Sequence, residues 1–418
     1  MKKRILVGKT ISRPFYDGQK VTDVILKYNV DVKGSSLAKD CFEVEERNIV
    51  KTVCVSDLEA ELETEHSQYV RLVLESKDRN AYTSPENPMP SEEERKAYKG
   101  KDRLWFVGRS RDQISYKVTQ IKDLLTQDDE IIEKGLSVKT AIEENKEVDR
   151  FRQFHYGRYE YNLFIPDHYD ENRKYPLVLF IGDATSKGDD YHVSLELGLG
   201  PVCWLDREIQ KDDPCFVLVP VFPQAGKNAN GSYVQFPMTD VYHQMCHEVE
   251  KSYSIDPDRI YTTGQSMGCM NSYELMFRYP HYFAGALCVS GHWDRWKIAT
   301  CAKRGQNIWN IACEEDGGAG PCYKETRELL DEQDIPYLWS ETDGSQAIEQ
   351  LNAQFEKLAK GDFSFKYTVY QGKSSLREGQ EDECYSTHYS GWWLTYRIKA
   401  VLKWLLDQRR KEIKDVEY

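Results

Sequence analysis

The sequence lacks the features that would place the protein in a membrane or on nucleic acid. No stretch approaches the roughly 18 consecutive apolar residues that a membrane-spanning helix needs. Acidic residues outnumber basic ones, with 69 Asp and Glu against 56 Lys and Arg, which gives a formal net charge of −13. Nucleic acid and anionic lipid repel an acidic chain of this kind. We therefore expect neither nucleic acid nor a membrane among its partners.

The cysteines are not arranged as metal ligands or as redox pairs. The 11 cysteines are scattered, none forms a Cys-x-x-Cys pair, and no Cys/His cluster has zinc-site spacing. The basic start "MKKR" is not followed by the apolar run of about 7–15 residues that a secretion signal contains. Reduced thiols in a cytoplasmic protein are the simplest interpretation, and the alternative is an exported protein from which a leader was removed. We expect no metal and no cofactor.

The pattern of apolar residues changes near residue 150, which predicts two domains in this chain of 418 residues. Up to residue 125, short β-branched and aromatic runs alternate with polar turns, among them "VTDVILKYNVDV", "YVRLVLESKD", "RLWFVGRS" and "ISYKVTQI". Short strands with regular turn signals predict an all-β sandwich over residues 1–125. Residues 126–150 are highly charged, and we interpret them as a connector.

From residue 151 to residue 418, apolar strands alternate with amphipathic helices. Runs such as "YPLVLFIGDA", "CFVLVPVFPQ" and "AGALCVSG" are almost continuously apolar, as strands covered on both faces are. Helical patterns follow in "TDVYHQMCHEVEKSY", "YKETRELLDEQ" and "AIEQLNAQFEKLAK", and "WLTYRIKAVLKWLLDQRRKEI" predicts one long C-terminal helix. The alternation predicts a mostly parallel α/β sheet with helices on both faces.

A serine between two glycines lies where a predicted strand meets a predicted helix. The strand "RIYTTG" and the helix "MNSYELMFRYP" flank Gly264-Gln265-Ser266-Met267-Gly268. Glycines at such a turn let strand and helix approach closely, and the serine hydroxyl is presented at the carboxyl edge of the sheet. The backbone N–H of Met267 then points to where an oxyanion would form. We predict that Ser266 is a nucleophile.

A serine nucleophile needs a base that takes its proton. When such a serine lies at a strand-to-helix turn of an α/β sheet, the acid follows the serine in the chain and the histidine comes last. Three histidines follow Ser266. His281 lies too near the turn in sequence, and we interpret His292 as structural. His388 is therefore the predicted base, on a loop between the last strand and the C-terminal helix.

The acid and the second oxyanion donor should lie at the ends of other strands. The segment "NIWNIACEEDGGAG" ends in carboxylates, of which Asp316 is best placed and Glu315 is the alternative. An acid there would hold the tautomer of His388 and stabilise its imidazolium form. The loop after "YPLVLFIG" should supply the second donor, for which we predict the N–H of Ala184, with Asp183 as the alternative.

These segments resemble the α/β-hydrolase superfamily. More closely, they resemble the esterases grouped with feruloyl and acetyl xylan esterases and polyhydroxybutyrate-depolymerase-like enzymes, in members that carry an N-terminal immunoglobulin-like domain. The likeness lies in "YNLFIPDHYDENRKYPLVLFIGDA", "YSIDPDRIYTTGQSMGCMNSYELMFRYPHYFAGALCVSG", "NIWNIACEEDG" and "STHYSGWW", and at the N-terminus in "ISRPFYDGQKVTDVILKYNVDVKGSSLAKDCFEVE". Two positions depart from the family pattern. Gly182-Asp183 stands where the family has His-Gly, and Cys269 stands where it tends to have glycine.

The resemblance implies an α/β-hydrolase domain after an immunoglobulin-like sandwich, and the activity of a serine carboxylic ester hydrolase. Plant-polysaccharide-linked, phenolic or short acyl esters are the implied substrates, as small molecules or oligosaccharides. Trp293 follows a strand and Trp392 follows His388, so we expect both, with Gln265, to bind substrate. The alternatives are a serine peptidase of the prolyl-oligopeptidase type and a non-catalytic carbohydrate-binding protein. The N-terminal domain is the candidate surface for assembly into a homo-oligomer.

Overall fold

The computed structural model describes residues 2–15, 18–59, 62–81, 114–184, 186, 192–196, 198–221, 238–317, 322–376, 386–414 and 416. They divide into two compact units, of which the first ends at Arg150 and the second begins at Phe151. The predicted strand "RLWFVGRS" lies outside the described residues. Among the residues described, no helix is both long enough and apolar enough to span a membrane.

The first unit is built from β-strands. They are β1 (Ile5–Phe15), β2 (Gly18–Lys33), β3 (Phe42–Val44), β4 (Ile49–Val55), β5 (Glu63–Thr64), β6 (His66–Leu74), β7 (Lys117–Gln120), β8 (Leu124–Leu125), β9 (Ile131–Ile132), β10 (Ser137–Lys139) and β11 (Ile142–Asn145). One sheet has the order β11-β1-β2-β6-β4-β5, and a second has the order β10-β7-β3. One apolar cluster contains Val24 and Leu72 of the first sheet and Phe42 and Val118 of the second. The two sheets therefore share a core, as in a β-sandwich.

Residues 126–150 belong to the first unit, so the predicted connector is wrong. β10 pairs antiparallel with β7, and β11 pairs in parallel with β1, where Lys9 is opposite Ile142. Both strands lie at the edges of their sheets. Edge strands are short and rich in charged residues because much of their surface is solvated. The composition of this segment therefore resembles that of a linker, although its backbone completes two sheets.

The second unit contains a nine-stranded mixed sheet. Its strands are β12 (Phe151–Tyr156), β13 (Tyr159–Phe164), β14 (Tyr175–Ile181), β15 (Phe216–Pro220), β16 (Ile255–Gln265), β17 (Gly285–Val289), β18 (Ile308–Cys313), β19 (Leu338–Thr342) and β20 (Phe365–Tyr370). Their order is β12-β13-β15-β14-β16-β17-β18-β20-β19, antiparallel at the β12 end and parallel from β15 onward. Every residue of β14, β15, β17, β18 and β20 is buried, which explains their continuous apolar runs. The predicted α/β-hydrolase fold is confirmed.

The helices of this unit are α1 (Val193–Glu196), α2 (Arg207–Asp212), α3 (Met238–Ser252), α4 (Met267–Arg278), α5 (Arg295–Lys303), α6 (Cys322–Glu332), α7 (Ile348–Ala359), α8 (Ser386–Thr395) and α9 (Lys399–Asp407). The single C-terminal helix that we expected is interrupted between α8 and α9. There the side chain of Tyr396 turns inward, where its hydroxyl lies 3.0 Å from that of Thr263 and its ring packs on Phe180. A buried tertiary contact therefore overrides the helical propensity of this segment.

A buried arginine joins distant segments of the first unit. The side chain of Arg47 is 0% exposed and contacts the carboxylate of Asp78 at 3.3 Å. It also donates, at 3.0 Å each, to the hydroxyl of Tyr116 and to the carbonyl oxygens of Val21 and Glu75. All of these contacts depend on one buried charge, so its loss would remove them together, although Asp78 and Glu75 keep the N–H groups of Asn48 and Asp78 as donors.

We predict that Arg47→Met destabilises the first unit by about 3–5 kcal/mol, the usual cost of removing one partner of a buried ion pair. Lys51→Met is the matched control, because Lys51 pairs with Glu63 where the side chains are 52% and 58% exposed. Such a surface pair contributes only about 0–1 kcal/mol. Peptide-resolved hydrogen exchange of the full chain should show reduced protection of β2 and β6 in the Arg47 variant alone. Equal protection in both variants would contradict this role.

Candidate active site

The turn around Ser266 has a close approach that only glycine permits. Ser266 lies between β16 and α4 with φ 52° and ψ −114°, a conformation that is rare for residues with a side chain. A Cβ atom on Gly264 would lie 2.5 Å from the backbone of Gly268 and from the carbonyl oxygen of Ile181. A Cβ atom on Gly268 would overlap that same oxygen. The two glycines therefore let β14, β16 and α4 meet at the serine.

The structure brings the three predicted catalytic residues together at this turn. Nε2 of His388 lies 2.9 Å from Oγ of Ser266. Nδ1 of the same ring lies 2.8 and 2.9 Å from the two carboxylate oxygens of Asp316. His388 and Asp316 are buried, at 7% and 4% exposed. In this geometry the imidazole can accept the serine proton while the carboxylate orients the ring.

The neighbouring carboxylates of the acid segment point elsewhere. Glu315, the alternative acid, is 53% exposed, and its carboxylate lies 3.6 Å from Nζ of Lys373. Glu314 accepts a hydrogen bond of 2.8 Å from the backbone N–H of Gly372. Of the three acidic residues that end this segment, Asp316 is the one whose carboxylate reaches the histidine.

His388 lies in the first turn of α8, and not on a loop as we expected. Two polar contacts attach this helix to neighbouring segments of the site. The hydroxyl of Thr387 donates to the carbonyl oxygen of Glu315 at 2.6 Å. The hydroxyl of Ser390 lies 2.6 Å from that of Ser375, which in turn contacts the thiol at the end of β18 at 3.3 Å. The sequence analysis missed these positioning residues, because single serines and threonines have no distinctive spacing.

The two predicted oxyanion donors follow adjacent strands. β14 pairs in parallel with β16, and Ile181 is opposite Gly264 at the ends of the two strands. Ala184 follows one of these ends and Met267 follows the other, so both lie at the carboxyl edge of the sheet. Met267 is the first residue of α4, where a backbone N–H has no acceptor within the helix. A role for this N–H as an oxyanion donor remains a prediction.

Two of the three predicted substrate-binding side chains are almost fully buried. Gln265 is 1% exposed, and its amide donates to the carboxylate of Asp183 at 2.8 Å. Trp392 is 3% exposed, and its ring packs edge-on against His388 with the ring centroids 4.9 Å apart. Both side chains contact other residues of the site, Asp183 and His388.

The loop after β17 holds the third predicted substrate-binding residue. Trp293 is partly buried, and its indole N–H donates to Glu274 at 2.9 Å. The same carboxylate accepts from Nζ of Lys297 at 2.8 Å, so Trp293 is attached to α4 in one orientation. Burial lowers the pKa of the adjacent His292, and the charge of Asp316 opposes this effect. A contact between Trp293 and substrate remains a prediction.

Comparison with known proteins agrees with this architecture. Residues 8–133 match the family model of the esterase Ig-like N-terminal domain. This match confirms the predicted resemblance of the N-terminal segment to the immunoglobulin-like domain of esterases. The match extends beyond residue 125, consistent with the longer first unit. No curated protein matches the sequence.

One of the solved structures that resemble this chain shows the same fold. A thermostable esterase is similar with a TM-score of 0.68 at 23% identity, over 97% of this chain and 100% of that chain. The feruloyl esterase module from Clostridium thermocellum has a TM-score of 0.38 at 16% identity, over 64% of this chain and 90% of its own. A ferulic acid esterase from Anaeromyces mucronatus has a TM-score of 0.38 at 13% identity, over 60% of this chain and 91% of its own. The likeness to the thermostable esterase, the match of the N-terminal segment and the nine-stranded sheet together show an α/β-hydrolase fold preceded by an immunoglobulin-like domain.

We predict that Gly268→Ala displaces Ser266, because the added methyl group overlaps the carbonyl oxygen of Ile181. Overpacking of this kind costs about 1–3 kcal/mol. Gly305→Ala is the control: Gly305 has φ 79°, so alanine there is strained by about 1–2 kcal/mol, but no described atom lies within 4 Å of its added Cβ. A fluorophosphonate, which reacts with activated serine hydroxyls, should label the Gly305 variant at the wild-type rate and the Gly268 variant far more slowly. Labelling of both at the wild-type rate would contradict the steric argument.

Proposed function

We propose that the protein is a serine carboxylic ester hydrolase. The observation that carries the proposal is the hydrogen-bonded series of Ser266, His388 and Asp316 at a strained strand-to-helix turn. An alkyl hydroxyl is a poor nucleophile unless a base takes its proton, and this series supplies the base. The match of the N-terminal segment to an esterase domain supports esters as the acyl substrates.

The reaction proceeds through an acyl-enzyme. Oγ of Ser266 attacks the ester carbonyl carbon while Nε2 of His388 takes the hydroxyl proton. The N–H groups of Met267 and Ala184 stabilise the negative charge on the carbonyl oxygen. His388 then gives its proton to the leaving alcohol, and the acyl group remains on the serine. In the second half, His388 deprotonates a water molecule, which attacks the acyl-enzyme and releases the acid. Asp316 stabilises the imidazolium in both halves.

The proposed substrates are phenolic or short acyl esters, including those linked to plant polysaccharides. Aromatic side chains on the histidine side of the site support this choice. The rings of Tyr389 and Trp393 are partly buried on α8, nearly parallel at 21°, with centroids 6.0 Å apart. Trp293 is held in one orientation on the loop after β17. Aromatic rings pack favourably against other aromatic rings and other apolar surfaces, which suits a phenolic acyl group or a sugar face.

We predict that Ser266→Ala loses hydrolysis of p-nitrophenyl acetate by roughly 10⁶-fold, the loss found when a triad nucleophile is removed. Ser345→Ala, at an exposed serine of the same unit, is the matched control and should retain wild-type turnover. An amino-acyl p-nitroanilide assayed in parallel tests for a peptidase, and methyl ferulate and acetylated xylan identify the acyl group. Turnover of the anilide but not of the esters would favour the peptidase. Binding of xylan without any turnover would favour a carbohydrate-binding protein.

The identity of the acid is tested by two neighbouring substitutions that remove the same charge. Asp316→Asn should lower kcat by roughly 10⁴-fold, because the asparagine amide favours the wrong tautomer of His388. Glu315→Gln should leave kcat close to that of the wild type, because its carboxylate is exposed and faces Lys373. The opposite ranking of the two variants in steady-state kinetics would show that the acid lies one residue earlier.

A further inference from the structure

A buried carboxylate lies in the loop that carries one of the proposed oxyanion donors. Asp183 is 4% exposed and directly precedes Ala184. Oxyanion sites are built from hydrogen-bond donors and positive charge, so a carboxylate close to one is unfavourable for the transition state unless it has another role. The hydrogen-bond donor to this carboxylate indicates what that role is.

Gln265 reaches the same carboxylate from the neighbouring strand. Its Nε2 donates to Oδ2 of Asp183 at 2.8 Å, and both side chains are buried. Asp183 lies one residue before Ala184, and Gln265 lies two residues before Met267. This single hydrogen bond therefore joins the two backbone segments that carry the two proposed oxyanion donors.

The two ends of this hydrogen bond differ in how they are held. Oε1 of Gln265 has no hydrogen-bond partner among the described residues, so the bond to Asp183 is the one that orients this amide. The carbonyl oxygen of Asp183 accepts from the N–H and the hydroxyl of Ser186, at 3.1 and 2.7 Å. The Ser186 hydroxyl lies so close to Gly182 that a Cβ there would overlap it. The loop at Asp183 is thus fixed by its own contacts, and its bond to Gln265 extends that order to the strand that leads to Ser266.

We propose that Asp183 and Gln265 form a positioning bridge that sets the spacing of the Ala184 and Met267 N–H groups. The proposal rests on the proposed ester hydrolase function. Neither side chain touches substrate. The bridge acts through the alignment of the donors with the transition-state oxygen, so its loss lowers kcat more than it raises KM. The departure of Gly182-Asp183 from the His-Gly of similar esterases then has a structural reason.

The test compares substitutions that remove the bridge with one that preserves it. Gln265→Met removes the donor, and Asp183→Leu removes the acceptor, each at similar volume. Each should lower kcat for p-nitrophenyl acetate by roughly 10²-fold, with KM little changed, since a small misplacement of catalytic groups has an effect of that size. The double variant should be no worse than Asp183→Leu alone, because Gln265→Met removes the same bridge. Asp183→Asn should retain most of the wild-type kcat, because the side-chain carbonyl of asparagine can still accept the hydrogen bond from Gln265.

A matched control separates positioning from general destabilisation. Gln306→Met removes another buried amide donor, which bonds to the carbonyl oxygen of Met276 at 2.9 Å. All kcat values are expressed per active site titrated with a fluorophosphonate, so that unfolded molecules do not contribute. The Gln306 variant should lose stability and retain kcat.

A second measurement reports on the oxyanion site without turnover. Phenylboronic acid adds to an activated serine as a tetrahedral adduct, and one of its oxygens occupies the position of the oxyanion. Its dissociation constant should rise in the Gln265→Met variant by about the same factor as kcat/KM falls. If the wild type is active and the Gln265→Met variant has the same kcat and the same affinity for the boronic acid, the proposed bridge is wrong and the proposed function stands. A wild type that neither hydrolyses the ester nor binds the boronic acid would overturn the proposed function together with the bridge.

Discussion

The contact on which the second unit depends is the approach of three backbones at Gly264 and Gly268. The carbonyl oxygen of Ile181 lies where the side chain of either residue would be, so β14, β16 and α4 can meet there only without side chains. This contact forces Ser266 into its strained conformation and puts Met267 at the start of the helix. The positions of the proposed nucleophile and of one proposed oxyanion donor therefore follow from a steric constraint within five residues.

The remaining groups reach the turn from distant parts of the chain. His388 is 122 residues after Ser266 and 72 residues after Asp316. The parallel sheet makes this assembly possible, because the carboxyl ends of β16 and β18 lie on the same edge. Short polar contacts then fix the side chains in place, for example the hydrogen bond from the hydroxyl of Thr387 to the carbonyl oxygen of Glu315. The site thus combines coarse placement by topology with fine placement by hydrogen bonds.

The sequence allowed the site to be predicted where local sterics or chain order determine it. The glycines around Ser266 mark a turn that few other residues could make, and the order of acid and histidine leaves few candidates. It did not reveal that His388 lies on a helix, or that Gln265 bonds to the carboxylate of Asp183. Both depend on contacts between segments far apart in sequence, for which the chain carries no local periodicity.

The same reasoning accounts for the fold. Strands buried on both faces were predictable from their apolar runs, whereas the edge strands β12 and β19 were missed because they are only partly covered. Residues 126–150 were misassigned for a related reason, since charged edge strands resemble a linker.

The central claim is that an acyl group passes through Ser266. The most direct measurement is rapid-quench peptide mapping during hydrolysis of p-nitrophenyl acetate. The account predicts a burst of p-nitrophenol together with one acetyl group on the peptide that contains Ser266, and its disappearance as the substrate is consumed. Hydrolysis with no acetyl group on this serine, or with the acetyl group on another residue that turns over, would contradict it.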